Sequence, residues 1–121
     1  IIPTANASNV SLEQLCAGYA IMTSKGIAAA ETTTYMNSML NELSKSGSTT
    51  DKLLRQKMGG SFAELMASGK SLGEILGGIQ EEANKSGLAL SDMFSSSEAG
   101  KAAMSLLSNG VDGLIQAYKT W

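Results

Sequence analysis

The side chains of this sequence that could do chemistry are mainly carboxylates, with a single thiol. Eleven aspartates and glutamates are present, and two carboxylates at a fixed separation are enough for glycoside hydrolysis. Several of these acids, however, follow a serine by three residues, which is the spacing of helix capping boxes, or fall on the polar side of an amphipathic pattern. We therefore interpret the acids as helix caps or solvated surface: Glu13, Glu31, Glu42, Glu64, Glu74, Glu81, Glu82, Asp92 and Glu98.

Cys16 is the only cysteine, and the sequence contains no histidine. These two facts exclude imidazole catalysis, histidine metal sites, multi-cysteine metal clusters and an internal disulfide. Because Cys16 falls on a predicted apolar helix face, we interpret it as a core residue. The Gly59-Gly60-Ser61 segment lacks the lysine of a phosphate-binding loop and is predicted to be a turn. We expect no catalytic residue, metal or cofactor, and therefore no enzyme.

Composition limits the remaining classes of protein. The 121 residues are the size of one domain, and 43% are hydrophobic, which favours a folded core. A net charge of −2 argues against a nucleic-acid partner. No window reaches the roughly 18 to 20 apolar residues that a membrane span needs. The chain begins with isoleucine and has no signal-peptide pattern, so we expect an excised, soluble piece of a longer protein.

Apolar residues recur at helical spacing between segments punctuated by glycine and serine. The pattern predicts helices over residues 11–25, 29–45, 51–58, 61–68, 71–86, 95–108 and 111–121. Four capping boxes are predicted at helix starts, with the pairs Ser11/Gln14, Ser61/Glu64, Ser71/Glu74 and Ser95/Glu98. In the first helix, the predicted apolar face consists of Leu12, Leu15, Cys16 and Tyr19. The fold class is therefore all-α, a compact or slightly elongated array of about six to seven short helices.

Three glycines interrupt the clearest of these helices, which is predicted over residues 71–86. Gly73 and Gly77 have the G-x-x-x-G spacing, and Gly78 adds another small position. Because each glycine costs about 1 kcal/mol in a helix interior relative to alanine, close packing against a neighbour is the natural reason for their presence. The neighbour could lie in this chain, which we favour, or in a second copy. These three glycines are the candidate helix-packing or self-association contacts.

Read in order, the segments of this chain resemble the core region of tail tape measure proteins of long-tailed bacteriophages and prophages. The resemblance rests on TSKGI at 23–27, MNSML at 36–40, KLLRQKMG at 52–59, GKSLGEIL at 69–76 and MFSSSEAGKAAMSLLSNGVDGL at 93–114. It covers nearly the whole chain. The sequence departs from the family pattern at Thr32, Thr33 and Ser95, where small residues are expected.

The resemblance implies a structural protein of the virion. Members of the family are long, mostly helical molecules that lie in the assembling tail tube, and their length sets the length of the tail. Residues 1–121 would then be a single helical module of a much longer tape measure protein, made in the host cytoplasm and incorporated into the phage tail. The implied partners are the tail tube protein, tail assembly chaperones and other copies of the same chain.

A second class of protein fits the same composition. A bacterial helical adaptor or an export-related interaction module would also be small, acidic and rich in glycine. The small secreted two-helix proteins with a Trp-x-Gly turn are excluded, because the only tryptophan is Trp121. The length of the parent reading frame would separate the two hypotheses, since a tape measure protein must be long.

Overall fold

The computed structural model describes residues 1–120, which form eight α-helices and one 3₁₀ turn without a β-strand among them. The prediction that Trp121 continues the last helix lies outside the described residues. The helices are α1 (Ile2–Ala7), α2 (Leu12–Ser24), α3 (Ala29–Ser44), α4 (Thr49–Met58), α5 (Phe62–Ala67), α6 (Leu72–Lys85), α7 (Ser97–Leu106) and α8 (Gly110–Lys119), with the 3₁₀ turn at Leu90–Met93. The predicted all-α class is confirmed.

Helix α3 lies at the centre of the packing. Its most extensive contact is with α7, and it also contacts α1, α2, α4 and α5. Helix α8 packs against both α2 and α6, while the 3₁₀ turn lies against α6 and α7. The buried side chains form one contiguous core whose largest fully buried members include Phe62, Met22, Met36, Leu40, Leu54, Leu76 and Ile79.

Glycine ends the helices where the sequence predicted it. Gly59 follows α4 in the left-handed conformation with φ of +85°, and its amide donates to the carbonyl of Leu54. Gly26 after α2 and Gly87 after α6 also have positive φ. Because side chains other than glycine are strained in this region, these positions fix where each helix stops.

Helix α1 was missed in the sequence. No helix is predicted before residue 11, yet Ile2–Ala7 form a helix with Pro3 in its first turn. Proline is well tolerated there, because the amide that it lacks would have no partner inside the helix. Ala5 and Val10 are buried against the core, so this short helix covers part of it.

Of the four predicted capping boxes, one forms completely. Ser61 and Glu64 exchange both hydrogen bonds, with Ser61 N to Glu64 Oε1 at 2.9 Å and Glu64 N to Ser61 Oγ at 3.2 Å. Ser71 accepts from the amide of Glu74, but the Glu74 carboxylate does not return to the Ser71 amide and instead accepts from the Ser71 hydroxyl. Ser61 and Ser71 still cap α5 and α6.

The side chain of Gln14 does not complete the box at Ser11. Its carbonyl oxygen accepts a 2.6 Å hydrogen bond from the amide of Leu72, the first residue of α6. The Leu72 amide is one of those that a helix cannot satisfy internally. A partner 58 residues away therefore supplies the missing acceptor and ties the start of α2 to the start of α6.

Candidate functional site

The glycines predicted as contact positions lie against other helices of the same chain. A Cβ atom built on Gly73 would be 3.0 Å from Cγ1 of Ile115, and one built on Gly77 would be 2.7 Å from Cγ2 of Val111. Both neighbours belong to α8. Because glycine has no Cβ, α6 and α8 can approach more closely than larger residues would allow.

Gly78 faces a different neighbour. A Cβ atom there would be 3.2 Å from Sδ of Met58, in the last turn of α4. Gly73 is buried beneath α8, whereas Gly77 and Gly78 are partly exposed. Self-association through the three glycines remains a prediction.

Two further glycines mark close helix contacts that the sequence analysis missed. A Cβ atom on Gly18 would be 2.9 Å from Cε of Met36 and 3.3 Å from Cδ2 of Leu106, where α2 meets α3 and α7. One on Gly100 would be 3.1 Å from Cβ of Ser91 in the 3₁₀ turn. The available signal was a glycine inside a helical pattern, which is unfavourable unless a neighbour requires it.

A broad groove, called here the large groove, lies between α3, the 3₁₀ turn and α7. Its volume is about 800 Å³. Lys101 extends along one side with its Nζ 5.5 Å from the centre of the Tyr35 ring, a cation–π arrangement. Met104, 45% exposed, adds an apolar side chain. The full lining is Ile27, Tyr35, Ser91, Phe94, Ser95, Ser96, Ser97, Gly100, Lys101, Met104 and Ser105.

The side chain of Glu42, a residue of α3, lies at the start of α7 beside this groove. Its carboxylate accepts from the amide of Ser95 at 2.6 Å, from the Ser95 hydroxyl at 3.1 Å and from the amide of Ser96 at 3.3 Å. Only 9% of Glu42 is exposed. The interpretation of Glu42 as a cap or solvated acid is therefore wrong as regards solvation: it is a buried acid that organises the segment before a distant helix.

The predicted capping pair Ser95/Glu98 is also wrong, by one residue. The N-cap of α7 is Ser96, whose hydroxyl accepts from the amide of Ala99 at 3.1 Å. Because Ser95 is hydrogen-bonded to Glu42, the next serine, Ser96, caps the helix. A carboxylate thus lies on the two amides that precede α7, where the helix end favours negative charge.

A smaller groove of about 360 Å³ runs along α2, with Ile2 of α1 forming part of its wall. Cys16 lines this groove and is half-buried, so its predicted place in the core is wrong. The predicted apolar face of α2 is correct at Leu15, which is buried, and at Tyr19, which is partly buried against the core, but it is wrong at Leu12, which is 64% exposed. The core-facing residues are Leu15, Ala17, Gly18 and Met22.

The two acids with clearly shifted pKa values are both structural. The Gly47 amide donates to the Asp51 carboxylate at 2.9 Å and lowers its pKa, with a further contribution from Arg55. The pKa of Glu64 is lowered because the Ser61 amide donates to its carboxylate. Both acids are held in the charged form by helix-end contacts, so neither is prepared to transfer protons near neutral pH.

The side chains and helices of residues 1–120 bear on two further properties, metal binding and membrane spanning. Across residues 1–120, no group of three or more histidine, cysteine, aspartate or glutamate side chains is arranged to hold a metal ion. No helix in this part of the chain combines the length and apolar character that crossing a membrane requires.

Comparison with known proteins identifies a relative. No family model matches the chain, and no solved structure matches it. The chain is 44% identical over 112 residues to a protein of Clostridium phage phiCD119 that carries the name "Probable tape measure protein". The match covers 88% of this chain but only 12% of that protein. The resemblance to tape measure proteins indicated by the sequence is thereby confirmed, and the chain is homologous to one segment of a protein of that name.

Proposed function

We propose that this chain is one helical module of a longer phage or prophage tape measure protein, and that it acts as a structural component of the tail rather than as an enzyme. The observation that carries the proposal is the 44% identity over 112 residues to the clostridial phage protein. At that level of identity, extending over most of the chain, a shared ancestral role is the simplest explanation.

The proposed role within the tail is that of a ruler. In a protein that sets tail length, every residue that lies along the tube adds to the measured span. The chain forms short helices around one core, so its contribution to the span depends on whether it stays folded in the tail or extends as a continuous helix, which adds about 1.5 Å per residue. Its proposed partners are the tail tube protein, assembly chaperones and other copies of the chain, and its proposed location is the virion, after synthesis in the host cytoplasm.

The ruler hypothesis is tested by an in-frame deletion of the codons for residues 1–121 in the phage or prophage, followed by measurement of tail length by electron microscopy. If the segment lies along the tail as continuous helix, we expect tails shorter by about 180 Å. If it stays folded, we expect a decrease of about 35 Å, the diameter of a compact domain of this size. A tandem duplication should lengthen tails by the same increment.

A matched control keeps the number of residues constant. Leu76→Asp places a charge in the core formed by α6 and so disrupts the fold without changing chain length. Any tails assembled by this variant should keep the wild-type length if the segment is a continuous helix in the tail. Tails of unchanged length after both deletion and duplication would contradict the ruler role.

A further inference from the structure

Helix α8 is joined to α7 by a short connection, residues 107–110, called here the hinge. The extensive contacts of α8 are with α2 and α6 and not with α7. Leu114 is the one fully buried side chain of α8, while Val111 and Tyr118 are partly buried. Because an element with few buried side chains is held less firmly than the rest of a fold, α8 can separate at a lower cost than a central helix such as α3.

The hinge is close to helical except at one residue. The Leu107 amide donates to the carbonyl of Ala103 at 3.2 Å, as it would in a continuing helix. Leu107 and Asn109 have φ of −95° and −103°, on the right-handed side. Gly110 has φ of +81°. Because glycine adopts negative φ as readily, a change to helical angles at Gly110 would join α7 and α8 into one helix over residues 97–119.

The start of α8 would gain hydrogen bonds from this change. Serine side chains accept from an amide in the first turn of α2, α4, α5, α6 and α7. Asn109, the N-cap of α8, makes no such side-chain bond. In a continuous helix the amides of residues 111–113 would donate to the carbonyls of residues 107–109. Straightening therefore supplies the acceptors that a cap would otherwise provide.

Departure of α8 would uncover the face of α6 that carries Gly73 and Gly77, and this face is shaped to α8. A Cβ atom on Gly73 would lie 3.0 Å from Cγ1 of Ile115. One on Gly77 would lie 2.7 Å from Cγ2 of Val111. A second copy carries the same α8 and can make the same contacts. We infer that α8 exchanges between two copies of this chain, so that each copy docks its α8 on α2 and α6 of the other.

The exchanged dimer keeps the helix contacts of the monomer and differs from it in the two hinges. In dilute solution the chain's own α8 has the higher effective concentration, so the monomer predominates, and the dimer forms as the concentration rises. This inference goes beyond the proposed role in the tail, because it concerns how two copies meet and not what their length measures.

A substitution at the hinge should favour the exchanged dimer. In Gly110→Ala the new Cβ has no atom within 4 Å, so the strain comes from the positive φ alone. Alanine is disfavoured in that conformation and favoured in a continuous helix. Sedimentation velocity should place the monomer–dimer midpoint at a concentration at least about tenfold below that of the wild type, because the strained bend is relieved in both copies.

The matched control is Gly26→Ala, at a glycine with φ of +87° and equally open surroundings. Gly26 connects α2 to the central helix α3, so its strain cannot be relieved by exchange of a peripheral helix. This variant should lose stability and remain monomeric at the same concentrations, with circular dichroism checking that both variants are folded. A folded Gly110→Ala chain no more dimeric than Gly26→Ala would overturn the exchange.

Disulfide trapping tests the exchange with the wild-type hinge, and so decides the question even if Gly110→Ala does not fold. A Cβ atom on Gly77 would lie 3.7 Å from Cβ of Val111, within the about 3.5–4.5 Å range of disulfides. In a Cys16→Ala background, one chain carries Gly77→Cys with Val111→Ala, which removes crowding by its own α8. The other chain carries Val111→Cys. Mixed at high concentration and oxidised, the two chains should become linked through positions 77 and 111.

The control for trapping moves the second cysteine by one position. Asp112→Cys replaces Val111→Cys, at an exposed residue of α8. Because the docked helix turns position 112 away from α6, this pair should lose the linked product. Equal linkage of positions 111 and 112 to position 77, or no linkage between the chains, would contradict the exchange of α8.

Discussion

The carboxylate of Glu42 and the backbone amide of Ser95 are joined by a 2.6 Å hydrogen bond across 53 residues of sequence. Glu42 lies near the end of α3, and Ser95 lies just before α7. The contact between α3 and α7 is the most extensive between any two elements of the described fold. The bond thus fixes where the chain enters α7 and, with it, the shape of one wall of the large groove.

Glu42→Gln should lower the free energy of unfolding by about 1–3 kcal/mol, because the amide group replaces an accepting oxygen with a donor that faces the Ser95 amide. Urea unfolding monitored by circular dichroism measures the change. Glu81→Gln alters an exposed acid with only a 3.7 Å contact to Lys85 and should change stability by less than about 0.5 kcal/mol. Equal stability of the two variants would show that the hydrogen bonds of Glu42 to Ser95 and Ser96 do not stabilise the fold.

Gly77→Ala should destabilise the protein by about 1–3 kcal/mol, although alanine is the better helix former. The new Cβ would lie 2.7 Å from Cγ2 of Val111, and the β-branched valine cannot move this atom without changing its rotamer or its backbone. Thermal unfolding provides the measurement.

Two matched variants test this explanation of the Gly77 contact. In Gly78→Ala the new Cβ meets Sδ of Met58 at 3.2 Å, and because methionine is flexible we expect little loss or a small gain in stability. Adding Val111→Ala to Gly77→Ala should recover part of the loss from the glycine change. If Gly77→Ala were as stable as Gly78→Ala, α6 and α8 would not be closely packed at this point.

Local patterns predicted most of the helices, because helix starts, ends and periodicity depend on neighbours in sequence. Ser61 and Glu64 illustrate this, since both partners of the capping box lie within four residues. Glu42 illustrates the limit. Its partners lie 53 and 54 residues away, and nothing in its immediate sequence distinguishes it from a solvated glutamate.

The error at Leu12 and Cys16 of α2 has a related cause. Leu12, Leu15, Cys16 and Tyr19 are the more apolar set, so composition favoured them as the core face. The structure buries Leu15 of this set but also buries Gly18, because Met36 and Leu106 require a residue without a side chain at that contact. Where two helices pack closely through a glycine, the hydrophobicity of the sequence alone does not predict which face of the helix is buried.

Two of the positions where the sequence departs from the family pattern carry long-range hydrogen bonds. Thr33 shares a hydrogen bond with the Tyr19 hydroxyl, and Ser95 donates to Glu42. Small residues at these sites would lack the Thr33 and Ser95 hydroxyls. The Thr33 departure therefore adds a polar connection between the consecutive helices α2 and α3, and the Ser95 hydroxyl adds one between segments 53 residues apart.

The pH dependence of stability should include a contribution from Asp51 at acid pH. The Gly47 amide and Arg55 lower the pKa of Asp51 below its ordinary value of 3.8, so the folded state favours the charged carboxylate. The stabilisation is therefore present above 3.8 and is lost as the pH falls through the lower pKa of the folded state. Asp51→Asn should flatten the decline in unfolding free energy over this acid range.

Urea titrations at several pH values measure that slope. Asp112→Asn changes an exposed aspartate in the first turn of α8 and serves as the control, with a slope expected to match the wild type. An Asp51→Asn chain that loses stability with acid as steeply as the wild type would mean that the Gly47 and Arg55 contacts do not persist in solution.

The core position of α6 is tested by Leu76→Asp. Leu76 is fully buried, together with Ile75 and Ile79 on the same helix. A carboxylate at this position would lose its hydration without gaining a partner, so we expect a loss of about 5 kcal/mol or more, which equals or exceeds the whole stability of a marginally stable domain. Circular dichroism should show loss of the helical signal and of the cooperative melt. Leu88→Asp, at a position 45% exposed, should melt like the wild type. If both variants kept the wild-type melting temperature, α6 would present this face to solvent, and the single core built around it would have to be abandoned.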